Sequence, residues 1–325
     1  NGQDGVQIDG EASDGNIVRG NWIGVRADGT GVLGNGGDGI FIIGGADNLV
    51  IGGPAAADGN WIAGGSYVGI EVDGNSSGLL IQYNRIGTDL TGAANWGPQQ
   101  NGILLENSAV PPAGPNNNRI LDNIVAFSGQ GGVYTAGITL SGNGTIANTI
   151  QRNLVYGQAG LAIDLGDDGP TNNDAGDADT GPNNRQNFPV LTSAITDGTG
   201  SVTIGGTLNS NANGAFRIEL FASPTASANG RGEARIYLGY VDVTVNAAGN
   251  ASFSTTLSAT LPAGYAVSAT ATRTLSSYAT FTDTSEVGRN IVATSSVQTV
   301  LVVDTAADTL DGDITSVWTL LASKG

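Results

Sequence analysis

Apolar runs of four to six residues recur along the first half of the chain, often alternating with polar positions and closed by Gly or Asn. Gly, apolar, any residue, apolar appears as Gly5-Val6-Gln7-Ile8, Gly39-Ile40-Phe41-Ile42 and Gly69-Ile70-Glu71-Val72. It returns as Gly102-Ile103-Leu104-Leu105, Gly137-Ile138-Thr139-Leu140 and Gly160-Leu161-Ala162-Ile163, at spacings of 34, 30, 33, 35 and 23 residues. Between these starts lies a second element, an apolar pair followed by Asn and further apolar residues. It reads Ile17-Val18 with Asn21-Trp22-Ile23, Leu80-Ile81 with Asn84-Arg85-Ile86, Ile120 with Asn123-Ile124-Val125, and Ile150 with Asn153-Leu154-Val155. This is strand length and strand period, without a 3.6-residue repeat.

Two or three short strands per repeat cannot enclose a core alone, but stacked repeats bury a continuous apolar column. The pattern therefore predicts a parallel β-helix of about six coils, with rungs about 4.8 Å apart. Ile8, Ile42, Val72, Leu105, Leu140 and Ile163 are its expected inward positions. Gly at the corners supplies positive φ, and Asn at the inner turns tolerates the left-handed conformation. Asn21, Asn60, Asn84, Asn123 and Asn153 are expected to hydrogen-bond up the column as a ladder. Longer coils carry loops at 26–38, 52–60, 88–101 and 108–118.

The pattern changes after the sixth coil. Residues 167–187 form an acidic, almost apolar-free junction loop, so the β-helix with this loop is assigned to 1–188. From about residue 201 alternation is clean: Val202/Ile204, Phe216/Ile218/Leu220, Ile236/Leu238 and Val241/Val243/Val245. Short strands separated by turns predict an antiparallel β-sandwich over 189–291. Residues 292–325 read as a linker and the opening strand or cap of a following unit.

Composition narrows the chemistry. The 325 residues include 12 Lys plus Arg and 29 Asp plus Glu, a net charge of −17, which argues against a basic surface for nucleic acid. Only 13% are charged, against about 25% in an ordinary soluble domain, and 52 glycines supply much of the remainder. Cys, Met and His are absent, which removes disulfides, thiolate nucleophiles, zinc fingers and a Ser-His-Asp triad built from this chain alone. No run of 18 apolar residues exists, so direct membrane insertion is not expected. Acidity, absent cysteine and a single lysine point to an exported bacterial protein, extracellular or on the cell surface.

The run Gly160-Leu161-Ala162-Ile163-Asp164-Leu165-Gly166-Asp167-Asp168-Gly169, then Asn173-Asp174, Gly176 to Asn184, and Gln186-Asn187-Phe188-Pro189-Val190-Leu191 resembles a junction in large bacterial surface proteins. Those proteins carry right-handed parallel β-helix repeats followed by a β-sandwich. Gly214 to Ala222 resembles the start of that sandwich, and Val302 to Gly325 is similar to the opening of the domain named for a CSLREA signature. The resemblance covers essentially the whole chain in permuted order. It implies a right-handed coil and an architectural role rather than a reaction.

Asp167, Asp168, Asp174, Asp177 and Asp179 lie within 13 residues amid Gly, Asn and Pro, and are candidate calcium ligands. Asp304, Asp308, Asp311 and Asp313 form a second, sparser set. The alternative for both is a solvated acidic linker. Asp164 with Asp167 and Asp168 is the one candidate acid–base group. With no His and no cluster of basic residues facing carboxylates, no enzyme is expected; a polysaccharide lyase or hydrolase stays as the alternative, by analogy of fold alone. Trp22, Trp61, Trp96 and Tyr67 offer either a sugar platform or a structural stack, and the shared repeat position of Trp22 and Trp61 favours the stack.

The expected function is structural or adhesive, with copies of the chain joined head to tail as a filament, stalk or giant surface protein. A carbohydrate-binding adhesin with surface glycans as partners is the further alternative. Asn1 enters directly at the first strand, while 296–325 resembles a segment that precedes such coils. Strand 297–303, with Val297, Val300, Leu301 and Val303, is thus expected to pair near Val6 and Ile8 of the next unit and bury Trp318 and Leu321.

Overall fold

The fold is described from a computed structural model over residues 2–108, 114–132, 135–275 and 278–296. It is all-β apart from three short 3-10 turns among these residues. The first half stacks short strands into three parallel sheets, each ordered as the chain runs. The first face has six rungs: Val6–Asp9, Ile40–Ile43, Ile70–Asp73, Ile103–Glu106, Ile138–Leu140 and Ile163–Leu165. The second face (from Ile17–Val18 to Thr149–Gln151) and the third (from Trp22–Ile23 to Leu154–Tyr156) have five each.

Register explains the repeat. On the first face Ile40, Ile70, Ile103, Ile138 and Ile163 are partners in one inward file, and Ile42, Val72, Leu105, Leu140 and Leu165 in another. Ile8 opens the second of these files by pairing with Ile42. Ile163 thus belongs to the file beside the one expected, because the last coil is offset by two residues in the Gly-initiated pattern. Ile51, Ile81, Ile120 and Ile150 line the second face, and Ile62, Ile86, Val125 and Val155 the third. All of these side chains enter one buried cluster. Burying such a branched side chain stabilises by about 1.5–3 kcal/mol, so the column carries the fold.

The asparagine ladder runs along the corner between the second and third faces. Nδ2 of Asn21, Asn60, Asn84 and Asn123 donates in turn to Oδ1 of Asn60, Asn84, Asn123 and Asn153, at 2.9–3.0 Å. Each of those oxygens also accepts the backbone N–H of the Asn before it. At four of the five corners the residue before the Asn is left-handed: Gly20 (φ 68°), Tyr83 (57°), Asp122 (56°) and Arg152 (54°); Gly59, before Asn60, is extended. The corner bends there so that the amide can point inward along the stack. A second ladder, at the corner between the first and second faces, links Leu79 N–H to Asn118, Asn118 N–H to Asn148 and Asn148 N–H to Asn183, at 2.9–3.0 Å.

The second half forms two largely antiparallel sheets. Val190–Thr196, Val202–Asn209 and Asn250–Leu257 make one, with Thr294–Ser295 added in parallel at its edge. Ala215–Ser223, Ile236–Thr244, Ala266–Leu275 and Thr280–Thr284 make the other, and Ile291–Val292 pairs off its path. Ile204 and Leu208 from the first sheet and Phe216, Ile218 and Val267 from the second share one core.

The ladder yields a direct test. Asn84→Ala removes Nδ2 bonds to Ile51 O and Asn123, and leaves the N–H and amide of Asn60 without their acceptor. Each buried polar group left unpaired costs about 1–3 kcal/mol, so chemical denaturation should show a loss of about 2–4 kcal/mol. An exposed-site control such as Asn16→Ala is expected to change stability by less than about 0.5 kcal/mol.

Candidate functional site

A parallel coil leaves alternate N–H groups of its last rung without a strand to pair with. Here residues from the second half meet them, one face at a time. Ala147 N–H donates to Asp283 Oδ1 at 2.7 Å and Ile150 N–H to Thr284 Oγ1 at 2.8 Å. Arg152 N–H reaches Glu219 Oε2 at 2.9 Å, and Gly157 N–H reaches Glu233 Oε1 at 2.8 Å. Val155 exchanges two backbone hydrogen bonds with Ala234, and Leu165 N–H donates to Glu286 Oε1 at 3.3 Å. Val287, one residue after Glu286, enters the apolar column itself.

Three of these acceptors, Glu219, Asp283 and Glu286, are buried carboxylates. Glu286 is 2% exposed, also accepts from Thr171 N–H, and pairs with Arg231 Nη1 at 3.1 Å. Arg231 lies over the Phe188 ring, 4.7 Å from its centre, and donates to Asn172 Oδ1. Burial pushes the Glu286 carboxyl up to about 7, against the opposing pull of Leu165 N–H and Arg231. Glu219 is 1% exposed, and its Oε1 has no hydrogen-bond partner among the described residues. Burial raises it to about 7 as well.

The acidic loop lies beside this closure, and its five aspartates divide. Oxygens of Asp174, Asp177 and Asp179 come within 4.8 Å of one another. Asp177 is buried, accepting from Asn187 N–H at 2.7 Å and Ser210 Oγ at 2.6 Å, while Asp174 accepts from Ala178 N–H. Three hard oxygen donors on one loop have the chemistry to hold a calcium ion. Asp168 stands apart, paired with Arg185 at 2.7 Å, and Asp167 sits at a left-handed corner (φ 59°). Asp164 accepts from Asp167 N–H and Gly169 N–H, so both of its oxygens brace its own turn; burial and the charge of Asp167 raise it to about 6. Asp304, Asp308, Asp311 and Asp313, and the assembly residues Val297, Val300, Leu301, Val303, Trp318 and Leu321, lie outside the described residues.

A second acidic group went unnoticed in the sequence. Glu71, Asp73 and Glu106 approach within 4.8 Å on the outside of the first face, because Asp73 and Glu106 are register partners on adjacent rungs. Burial and the charges of Asp38, Glu106 and Asp73 push Glu71 up to about 8. Asp73 accepts from Ser108 N–H and Ser108 Oγ. The tryptophans do stack: Trp22 and Trp61 are register partners with ring centres 5.1 Å apart, edge to face, and Trp61 lies 5.4 Å from Trp96 at 18°.

No family model matches this chain, and no curated protein matches it significantly.

The closure predicts a pH dependence. The ordinary value for both glutamates is 4.5, so between about 4.5 and 7 the folded protein binds more protons than the unfolded chain. Their stabilising contribution is complete below pH 4.5 and lost as pH rises through 7. The melting temperature should therefore be higher at pH 5 than at pH 8, and Glu219→Gln should flatten part of that slope. A melting temperature that climbs from pH 5 to pH 8 would contradict the assignment.

Proposed function

We propose that this chain is a repeating unit of an extracellular structural or adhesive surface protein, a right-handed parallel β-helix and a β-sandwich joined head to tail. The observation that supports this reading is the closure of the solenoid's last rung by the second half, which makes one continuous unit of the two parts. The last rung is closed by polar acceptors and plugged by Val287.

In this proposal the segment 297–303 of one unit, which lies outside the described residues, pairs along Val6 and Ile8 of the next, by covalent continuity or between subunits. The contact is heterologous, so it propagates along an axis instead of closing a pair. Asp174, Asp177 and Asp179 are the calcium ligands that stiffen the junction between helix and sandwich.

Two measurements test the reading. Deleting residues 297–325 should convert extended assemblies, seen by electron microscopy and sedimentation, into short or monomeric particles; fibres that persist unchanged would sink the head-to-tail model. For the ion, saturating calcium at about 100 times its dissociation constant should add about 2.7 kcal/mol to the folded state. That gain should vanish on chelation and in Asp174→Asn. An identical melting curve with calcium and with chelator would leave the loop as a hydrogen-bonded acidic linker.

A further inference from the structure

The outside of the third face carries a groove of about 280 Å³, bordered by Trp22, Tyr83, Arg85, Leu90 and Asp122 with Trp61 in its floor. Along this face Trp22, Trp61, Arg85 and Ile124 are successive register partners, so the groove follows the solenoid axis over four rungs, roughly 14 Å.

Three features of the lining bear on what fits there. Trp22 is 49% exposed, yet it is fixed on one side by Trp61, which is buried and anchored through Nε1 to Thr88 O at 2.7 Å. Gly29, at φ 70°, passes so close that a Cβ there would stand 3.4 Å from the indole, which holds a second edge. The open part of the ring is therefore a rigid apolar platform, with little ordering entropy left to lose on contact. Leu90, 64% exposed, adds apolar surface across the groove.

Arg85 supplies the polar component. It spends Nη1 on Asp89 O at 3.1 Å, and its other N–H donors have no acceptor among the described residues. The neighbouring Asp122 does not engage it, because Arg152 holds both Asp122 oxygens at 2.7 and 2.8 Å. Tyr83, at a left-handed corner with φ 57°, also borders the groove.

An indole face beside planar hydrogen-bonding groups complements a molecule with a C–H-rich face and a hydroxylated edge. That is a pyranose ring. The geometry points to a binding site for a neutral hexose oligosaccharide, with one ring on Trp22 and its hydroxyls toward Arg85 and Tyr83. A net charge of −17 opposes polyanionic glycans, which selects neutral over uronate chains.

Calorimetry and tryptophan fluorescence on the full chain test this, with cellotetraose, maltotetraose, laminaritetraose, mannotetraose and tetragalacturonate as probes. At least one neutral tetrasaccharide should bind saturably and shift the fluorescence. Trp22→Ala and Arg85→Gln should each weaken it about tenfold or more, about 1.4 kcal/mol. Tyr83→Asn, which keeps a residue tolerant of positive φ, should weaken it less, with the melting temperature unchanged. The site is refuted if no neutral probe binds, if binding is equal in Trp22→Ala and Arg85→Gln, or if only tetragalacturonate binds. Self-association lost in those variants while sugar binding stays intact would make the groove a contact between copies and overturn the proposal. The groove lies on the solenoid's flank, so deletion of 297–325 should leave sugar binding intact, and this result is separable from the assembly test.

Discussion

The last rung of the solenoid sets the terms for everything after it. Each internal rung is satisfied by its neighbours, but the final one presents N–H groups on three faces at once. Six residues spread over positions 219 to 286 converge on those groups. The two halves of the chain are therefore one hydrogen-bonded structure at their seam, although each has its own apolar core. Charge enters the seam because carboxylates offer two acceptors each, and one Glu286 side chain serves Leu165, Thr171 and Arg231 together. The cost is burial of groups that prefer water, and it is met by multiple donors at Glu286 and only partly at Glu219.

Much of this was legible in the sequence, and the limits have physical causes. Gly-apolar-x-apolar marks a rung because inward and outward positions alternate, so parallel stacking follows from recurrence alone. Trp22 and Trp61 share a repeat position and do become partners; Trp96 joins from a loop, which periodicity does not reach. The ladder of Asn21 to Asn153 was visible because each member precedes an apolar strand. Its companion at Asn118, Asn148 and Asn183 was not, since the last member sits in the acidic junction rather than beside a strand. The left-handed residues before four of the ladder amides were not marked, because the sequence shows the amide that is used, not the backbone that turns.

The acidic groups divide along similar lines. Asp174, Asp177 and Asp179 are neighbours in the chain, so their proximity was visible beforehand. Glu71 and Glu106 are 35 residues apart, and only the register of successive rungs brings them together. Glu219, Asp283 and Glu286 sit in strands or turns of the second half with nothing local to mark them. Their role exists only once the solenoid they close has been folded against them.

The two ladders and the closed end together make the solenoid free in length and fixed at its end. Every internal interface repeats the same inward files and the same asparagine-to-asparagine step, so a coil inserted between the third and fourth rungs would meet familiar neighbours above and below. A coil added after the last rung would have to displace Asp283, Glu219, Ala234 and Glu286 at once. Growth of such a molecule by duplication is thus barred at that end. Its length can change by whole coils while the seam with the second half stays as it is.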